Sequence, residues 1–103
     1  MKKVQPTPTE DGRDYTVKSV VKALNILELL AEGEQPAYTL TEMSRHLQVH
    51  VTTVHRLVAN LLGQGFLEEA PGGGGYRLSF KVLRMGLGVL EHLDYRQVAQ
   101  PHL

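Results

Sequence analysis

The sequence has no cysteine, so neither a disulfide framework nor a thiolate metal site can form. It also has no net charge: eleven Lys and Arg balance eleven Asp and Glu, so an attraction to nucleic acid has to be argued from local charge. Long apolar runs are missing too, because no apolar stretch follows the two starting lysines and none later approaches the roughly 18 residues of a membrane span. We therefore expect a cytoplasmic protein with no membrane partner.

The chain begins with a segment of low apolar content and then changes to a helical pattern. Residues 1–15 combine prolines, a glycine and charged side chains and predict a flexible arm, because they bury too little to offset the entropy of ordering. From Val17 to Gly33, apolar residues recur at steps of three and four, which predicts a first helix over about 16–32. Its apolar face is unusually broad, which indicates contact with the core on one side and with something else, such as a partner subunit, on the other.

The next helix has a well-marked start. Thr39 and Glu42 have the spacing of a capping box, and Tyr38 and Met43 have that of a hydrophobic staple. These signals predict a short second helix from Leu40 to about Leu47.

A third helix, a hairpin and a fourth helix follow. Apolar residues on one face predict a third helix at about 51–63, which Gly65 ends in the left-handed C′ position. Extended segments at about 66–70 and 75–79 flank a Pro-Gly-rich turn and predict a hairpin with a long flexible tip. Ser79 can cap a fourth helix at 80–93. With about three residues between the second and third helices, this order predicts a mainly α protein, a winged helix-turn-helix over 16–79 followed by a linker helix.

The third helix carries the most informative polar face. At 100° per residue, its apolar side chains turn to the core and leave Thr52 and Arg56 on the opposite side, flanked by Thr53, Ala59 and Asn60. A Thr can contact phosphate or a thymine methyl, and an Arg can bind guanine O6 and N7 with two hydrogen bonds, so this face suits a major groove. Any amphipathic helix has a solvated polar face, but the short turn before this helix and the wing after it favour DNA reading.

Nine residues are candidate DNA contacts, in the third helix, the turn before it, the second helix and the wing. They are Arg45, His50, Val51, Thr52, Thr53, His55, Arg56, Asn60 and Arg77. The positive charge in this region is thin, because Glu42, Glu68 and Glu69 subtract from it. Since neutralised phosphates supply the affinity, one copy is expected to bind weakly and a dimer to be needed.

Other chemistries find little support. His46, His50 and His55 could suggest zinc, but a turn separates the first pair and the second pair points about 140° apart on a helix, so we predict no metal site. The PGGGG tip lacks the Lys and Ser/Thr of a P-loop. No serine elbow or carboxylate pair suggests catalysis, so we expect neither an enzyme nor a cofactor. Zinc sensing through the histidines stays a minor alternative that stoichiometric metal would support.

Four segments together resemble a known family: VKSVVKALNILELLAEG, YTLTEMSRHLQVHVTTVHRLVANLLGQGFLEE, YRLSFKVLRMG and YRQVAQPHL. They resemble the N-terminal part of IclR-family bacterial transcription regulators over about residues 16–103, most sharply in TTVHRLVANLLGQGF. The resemblance implies a homodimeric repressor or activator that binds a near-palindromic operator, with the first helix helping to form the dimer and the third helix in the major groove. It also implies that residues 80–93 lead to a C-terminal effector domain, which is absent here and of which 94–103 resemble the truncated start. A small-molecule effector would act only through that domain.

The sequence departs from the family pattern around the turn. Gln48 stands where the family usually has Gly, His50 and Val51 where it often has Pro and a polar or basic residue, and Ser44 where it has a small Ala. These changes put the operator preference in doubt more than the fold. The alternative function is a winged-helix interaction module that docks protein through the first helix and the helix at about 80–92, with no DNA role.

Overall fold

The structure, a computed structural model, describes residues 14–93. Its elements are α1 (Lys18–Glu32), α2 (Leu40–Leu47), α3 (Val51–Gly63), β1 (Leu67–Glu69), a short 3-10 turn (Pro71–Gly73), β2 (Tyr76–Leu78) and α4 (Phe80–Glu91). Three helices, a two-stranded antiparallel hairpin and a fourth helix confirm the predicted winged helix-turn-helix. The predictions for residues 1–13 and 94–103 lie outside the described residues.

The starts of the helices follow their capping residues. The Thr39 hydroxyl accepts from the Glu42 N–H at 3.1 Å, and the Glu42 carboxylate accepts from the Thr39 N–H at 2.9 Å, which confirms the capping box of α2. The Thr39 N–H also lowers the pKa of the Glu42 carboxyl, because it binds the charged form. By contrast, α1 begins two residues later than predicted. The Thr16 N–H donates to the Asp14 carboxylate, so Thr16 lies before the helix, and Val17 at the N-cap provides no side-chain cap.

The end of α3 closes in a Schellman motif. Gly65 has a φ of 84°, its N–H donates to the Leu62 carbonyl at 3.0 Å, and the Phe66 N–H donates to the Leu61 carbonyl at 2.9 Å. This arrangement satisfies the last carbonyls of α3 and confirms the prediction for Gly65.

The start of α4 is bonded to the same place. The Ser79 hydroxyl caps α4 by accepting from the Lys81 N–H at 3.2 Å, as predicted, and also donates to the Gly65 carbonyl. The Ser79 N–H donates to the Phe66 carbonyl at 3.0 Å, and Lys81 Nζ donates to the Gln64 carbonyl at 2.7 Å. The Lys81 ammonium also lies 4.7 Å from the centroid of the Phe66 ring. Four hydrogen bonds and a cation–π contact therefore fix this corner.

One hydrophobic core holds α1, α2, α3 and the wing together. Its buried side chains are Ile26, Tyr38, Met43, Val54, Val58 and Leu67. Tyr38 and Met43, the predicted staple, are both in this core. No residue of α4 is buried, so the core forms without it.

The wing strands are shorter than predicted. The register pairs Leu67 with Leu78, Glu68 with Arg77 and Glu69 with Tyr76. Phe66 is not part of β1 because its N–H donates to the Leu61 carbonyl at the end of α3. At the other end of the hairpin, the hydrogen bond from the Ala70 N–H to the Gly75 carbonyl, at 2.7 Å, is part of the turn and not of the strand pairing.

The connector before α2 pairs with the wing, which the sequence did not reveal. The Tyr38 N–H donates to the Tyr76 carbonyl at 3.0 Å, and the Tyr76 N–H donates back to the Tyr38 carbonyl at 2.8 Å. Gly75 lies directly beside this bridge with a φ of 107°, and a Cβ there would stand 2.3 Å from the Tyr38 carbonyl oxygen. The tip glycines are therefore not equivalent: Gly75 is required by a close backbone approach.

We expect Gly75→Ala to lower the free energy of unfolding by about 2–4 kcal/mol, because the new Cβ both strains the positive φ and breaks the Tyr38 bridge. Urea denaturation followed by circular dichroism measures the change. Gly74→Ala is the matched control, since its φ is −79° and its nearest non-local atom would be 3.7 Å away. The control should change stability by less than about 1 kcal/mol. Equal effects of the two substitutions would contradict the close approach at Gly75.

Candidate nucleic-acid interface

The turn between α2 and α3 sets the direction of the third helix. Gln48 has φ 57° and ψ 44°, and it is the only non-glycine residue of positive φ among residues 14–93. The expectation that this turn is made without glycine is confirmed. Ser44 tethers the turn twice: its carbonyl accepts from the Val49 N–H at 3.2 Å, and its hydroxyl donates to the Val49 carbonyl at 2.6 Å. Ser44 thus adds a hydrogen bond that an Ala at this position could not make.

His50 begins α3. It is the N-cap residue, and its Nδ1 lies 3.4 Å from the Thr52 N–H and 3.0 Å from the Thr52 hydroxyl oxygen. Because Nδ1 accepts from the Thr52 N–H, a neutral ring carries its proton on Nε2, which leaves a donor free to bind a ligand. Sequence reasoning missed this cap, since His is not among the residues preferred at that position.

The polar face of α3 lies opposite the core. Val54 and Val58 are 0% and 2% exposed, whereas Thr52 and Arg56 are exposed on the other side. Within residues 14–93, the Arg56 guanidinium has no hydrogen-bond or ion-pair partner. The amide nitrogen of Asn60 donates one of its two N–H groups to the Arg56 carbonyl at 2.8 Å, which leaves the second N–H and Oδ1 for other partners. Among the described residues, this face therefore offers one unpaired guanidinium beside a hydroxyl and an amide group.

Thr53 is less exposed than the other members of the predicted face. Thr53 is half-buried and lines a groove between α3 and the first turns of α1. At 100° per residue Thr53 falls beside the exposed Asn60 and about 60° from Arg56, at the edge of the face that it was predicted to flank, and its role as a DNA contact stays a prediction. Val51 and His55 are both exposed and lie about 40° apart at the opposite edge of the face from Thr53.

The two predicted arginines outside α3 have different surroundings. Arg45 is exposed in the last turn of α2. Arg77 Nε donates to Glu68 Oε2 at 2.7 Å across the hairpin, and both side chains are about half exposed. Such a surface pair stabilises little, so a phosphate can compete for Arg77, but the wing gains no net charge from it. Sequence reasoning counted the two charges separately and missed their pairing in register.

The histidines do not converge. His46 packs edge-on against Tyr38, with 5.5 Å between the ring centroids, while His50 caps α3 and His55 faces solvent. Over residues 14–93, no three His, Asp or Glu side chains are grouped so that they could hold a metal ion. In the same range, no helix is both long enough and apolar enough to cross a membrane.

Comparison with known families places the chain. A family model described as the IclR helix-turn-helix domain matches residues 19–71, which is more than half of the chain. The chain belongs to this family. The match covers α1, α2, α3 and β1, so the elements that carry the polar face are those that define the IclR domain.

Individual relatives agree with this assignment. The IclR domain is 30% identical to the DNA-binding transcriptional repressor YiaJ of Escherichia coli over 102 residues, which are 99% of this chain and 36% of the relative. It is 36% identical to the HTH-type transcriptional regulator KipR of Bacillus subtilis over 84 residues, which are 82% of this chain and 32% of the relative. The chain thus spans about a third of the length of the curated relatives it matches.

Solved structures share the fold. An IclR transcriptional regulator from Alicyclobacillus acidocaldarius superposes with a TM-score of 0.71 at 30% identity, covering 78% of this chain and 32% of the other. The repressor BlcR of Agobacterium tumefaciens gives 0.66 at 29% identity, covering 84% and 36%. These comparisons confirm the winged helix-turn-helix and the resemblance to IclR regulators. The relatives are regulators of transcription rather than enzymes, and an interaction module without a DNA role is not favoured.

We expect Gln48→Gly to raise the free energy of unfolding by about 0.5–1 kcal/mol. Glycine removes the cost of about 1–2 kcal/mol that a side chain pays in the left-handed region, and part of this gain is lost to greater freedom of the unfolded chain. Gln48→Ala is the matched control, because it shortens the side chain but keeps the Cβ and should give no such gain. Thermal and urea unfolding of the two variants measure the difference. Equal stabilisation by both would show that the backbone of Gln48 is not strained.

Proposed function

We propose that this IclR domain binds double-stranded DNA sequence-specifically, with α3 in the major groove, and that the protein it belongs to regulates transcription. The observation that carries the proposal is the exposed pair Thr52 and Arg56, opposite the buried Val54 and Val58, on the second helix of a helix-turn-helix. An α-helix with its side chains is about 10–12 Å across and fits a major groove about 12 Å wide.

The nine candidate residues take different roles in this proposal. Arg56 is the best base reader, because its guanidinium is unengaged and can bind guanine O6 and N7 together. Thr52 and the Nε2–H of His50 lie at the N-terminus of α3, where the helix dipole also favours phosphate. The others supply flanking or backbone contacts: Arg45, Val51, Thr53, His55, Asn60 and Arg77. The pairing of Arg77 with Glu68 makes it the weakest of these.

We expect Arg56→Ala to weaken binding to the preferred duplex by about 1–3 kcal/mol and binding to a scrambled duplex much less. The preferred duplex is obtained by in vitro selection with the wild-type chain, and fluorescence anisotropy measures both affinities. Arg84→Ala, which removes the same charge from an exposed position of α4, is the control and should leave the ratio of affinities unchanged. Equal losses of Arg56→Ala on both duplexes would show that Arg56 contacts only phosphate.

We also propose that the domain binds DNA as a homodimer formed through α1. Three large apolar side chains of this helix are exposed, namely Val20, Val21 and Leu24, at 53%, 37% and 52%, and Val17 at its N-cap is 56% exposed. At 100° per residue they occupy one sector of about 100° that faces away from the core. A two-fold dimer would present two recognition helices to half-sites about 34 Å apart, which suits a near-palindromic operator in the cytoplasm.

We expect Leu24→Glu to dissociate the dimer, because it places a charge at the centre of the apolar sector of α1. Sedimentation velocity of the chain measures the change, and the affinity for the selected duplex should fall with it. Leu90→Glu is the control, since Leu90 is equally exposed, at 51% against 52%, but lies on α4. A monomer produced by the control alone would place the dimer contact on α4 instead.

Residues 80–93 are proposed to be a linker to a C-terminal domain. This segment contributes no buried residue to the core, and the matches to the relatives cover only about a third of their length. In this proposal a small-molecule effector binds that further domain, and α4 carries the resulting displacement to the IclR domain.

A further inference from the structure

A groove lies between the first turns of α1 and the flank of α3. It is lined by Lys18, Ser19, Val20, Lys22, Ala23, Thr53, His55, Arg56, Leu57, Ala59, Asn60 and Leu61. Three of these side chains are cations, Lys18, Lys22 and Arg56, and none is a carboxylate. A groove of this composition suits a polyanion.

Lys18 and Lys22 occupy a sector of α1 that no other role uses. On a helical wheel, Ile26, Ala23 and Leu30 turn to the core side of the groove, and the exposed valines and Leu24 turn nearly opposite. Lys18 and Lys22, four residues apart, lie between these two sectors, about 6 Å apart along the helix axis. They are outside the apolar sector proposed for the dimer and border the core side, next to the half-buried Leu29.

The groove borders the proposed recognition face directly. Arg56 and Asn60 belong both to the outward side of α3 and to the lining of the groove. When a helix lies in the major groove, its flanks face the two sugar-phosphate backbones, and the elements beside it contact phosphates. The start of α1 is such an element.

We propose that Lys18 and Lys22 bind phosphates of the DNA backbone that borders the major groove occupied by α3. The inference rests on the proposed function and extends the DNA surface from the helix-turn-helix to α1. A lysine ammonium is a compact point charge on a flexible stem, which suits phosphate rather than base-specific contact. Asp14 is near the first of the two lysines. Its carboxylate accepts from the Thr16 N–H at 3.0 Å, and its pKa is lowered chiefly by Thr16 and in a small part by Lys18. Lys22 therefore carries the larger part of the contact.

The test uses Lys22→Gln and the double variant Lys18→Gln/Lys22→Gln. Affinities for the selected duplex and for a scrambled duplex of the same length are measured by anisotropy between about 50 and 300 mM salt. Each lost phosphate contact should reduce the slope of log affinity against log salt by about 0.9 per bound domain. The double variant should lose affinity by a similar factor on both duplexes, because phosphate contacts carry no sequence information.

The control is Arg84→Gln, which removes one positive charge from exposed α4 and should leave the salt slope unchanged. Circular dichroism melting curves verify that the variants are folded. Wild-type binding with unchanged slopes in both lysine variants would overturn the inference while leaving the proposed function intact. Absence of wild-type binding to either duplex at low salt would instead defeat the proposed function. A loss confined to the selected duplex would also overturn the inference, since it would mean base-specific contact.

Discussion

The backbone bridge between Tyr38 and Tyr76 holds the wing against the helices. It occurs at a point where several groups meet: the Tyr38 side chain is buried, its hydroxyl accepts from the Gln35 N–H at 3.3 Å, and its ring packs against His46. Two glycines make room for it, because a Cβ at Gly33 would stand 2.0 Å from the Tyr38 hydroxyl and one at Gly75 would meet its carbonyl. Tyr38 therefore links the wing directly to the start of α2, in addition to the core contact that Leu67 of the wing makes.

Local signals predicted the elements well because their causes are local. The capping box at Thr39, the left-handed Gly65 and the Ser79 cap each act within a few residues, so their letters and spacing identify them. The Tyr38 bridge joins residues that are far apart in the chain, and no short-range pattern marks it. The strands were predicted too long for a similar reason, since the N–H of Phe66 could serve either β1 or the end of α3, and tertiary packing decides.

The sequence predicted which residues belong to the candidate site better than it predicted their positions and partners. Periodicity correctly separated Arg56 from the core, but it could not tell that Thr53 and Arg56 line a groove shared with α1. Contacts between side chains were not predicted either. Arg77 and Glu68 have the appearance of independent charges in the sequence, although the hairpin register pairs them. His50 has the appearance of a candidate metal ligand or DNA contact, and its role as the cap of α3 is not evident. Lys18 and Lys22 were predicted only to lie in the first helix. The groove that they line includes residues of α3, which are distant in the sequence, so no local pattern indicates it.

The corner where α3 ends and α4 begins has a mechanical consequence. Ser79 and Lys81 bond to the carbonyls of Gln64, Gly65 and Phe66, so the first turn of α4 is attached to the last turn of the helix that carries Arg56. The rest of α4 contributes no buried residue to the core. In the proposed role of α4 as a linker, a displacement of its far end would either rotate α3 or break these bonds, so this corner would be the joint between the two helices.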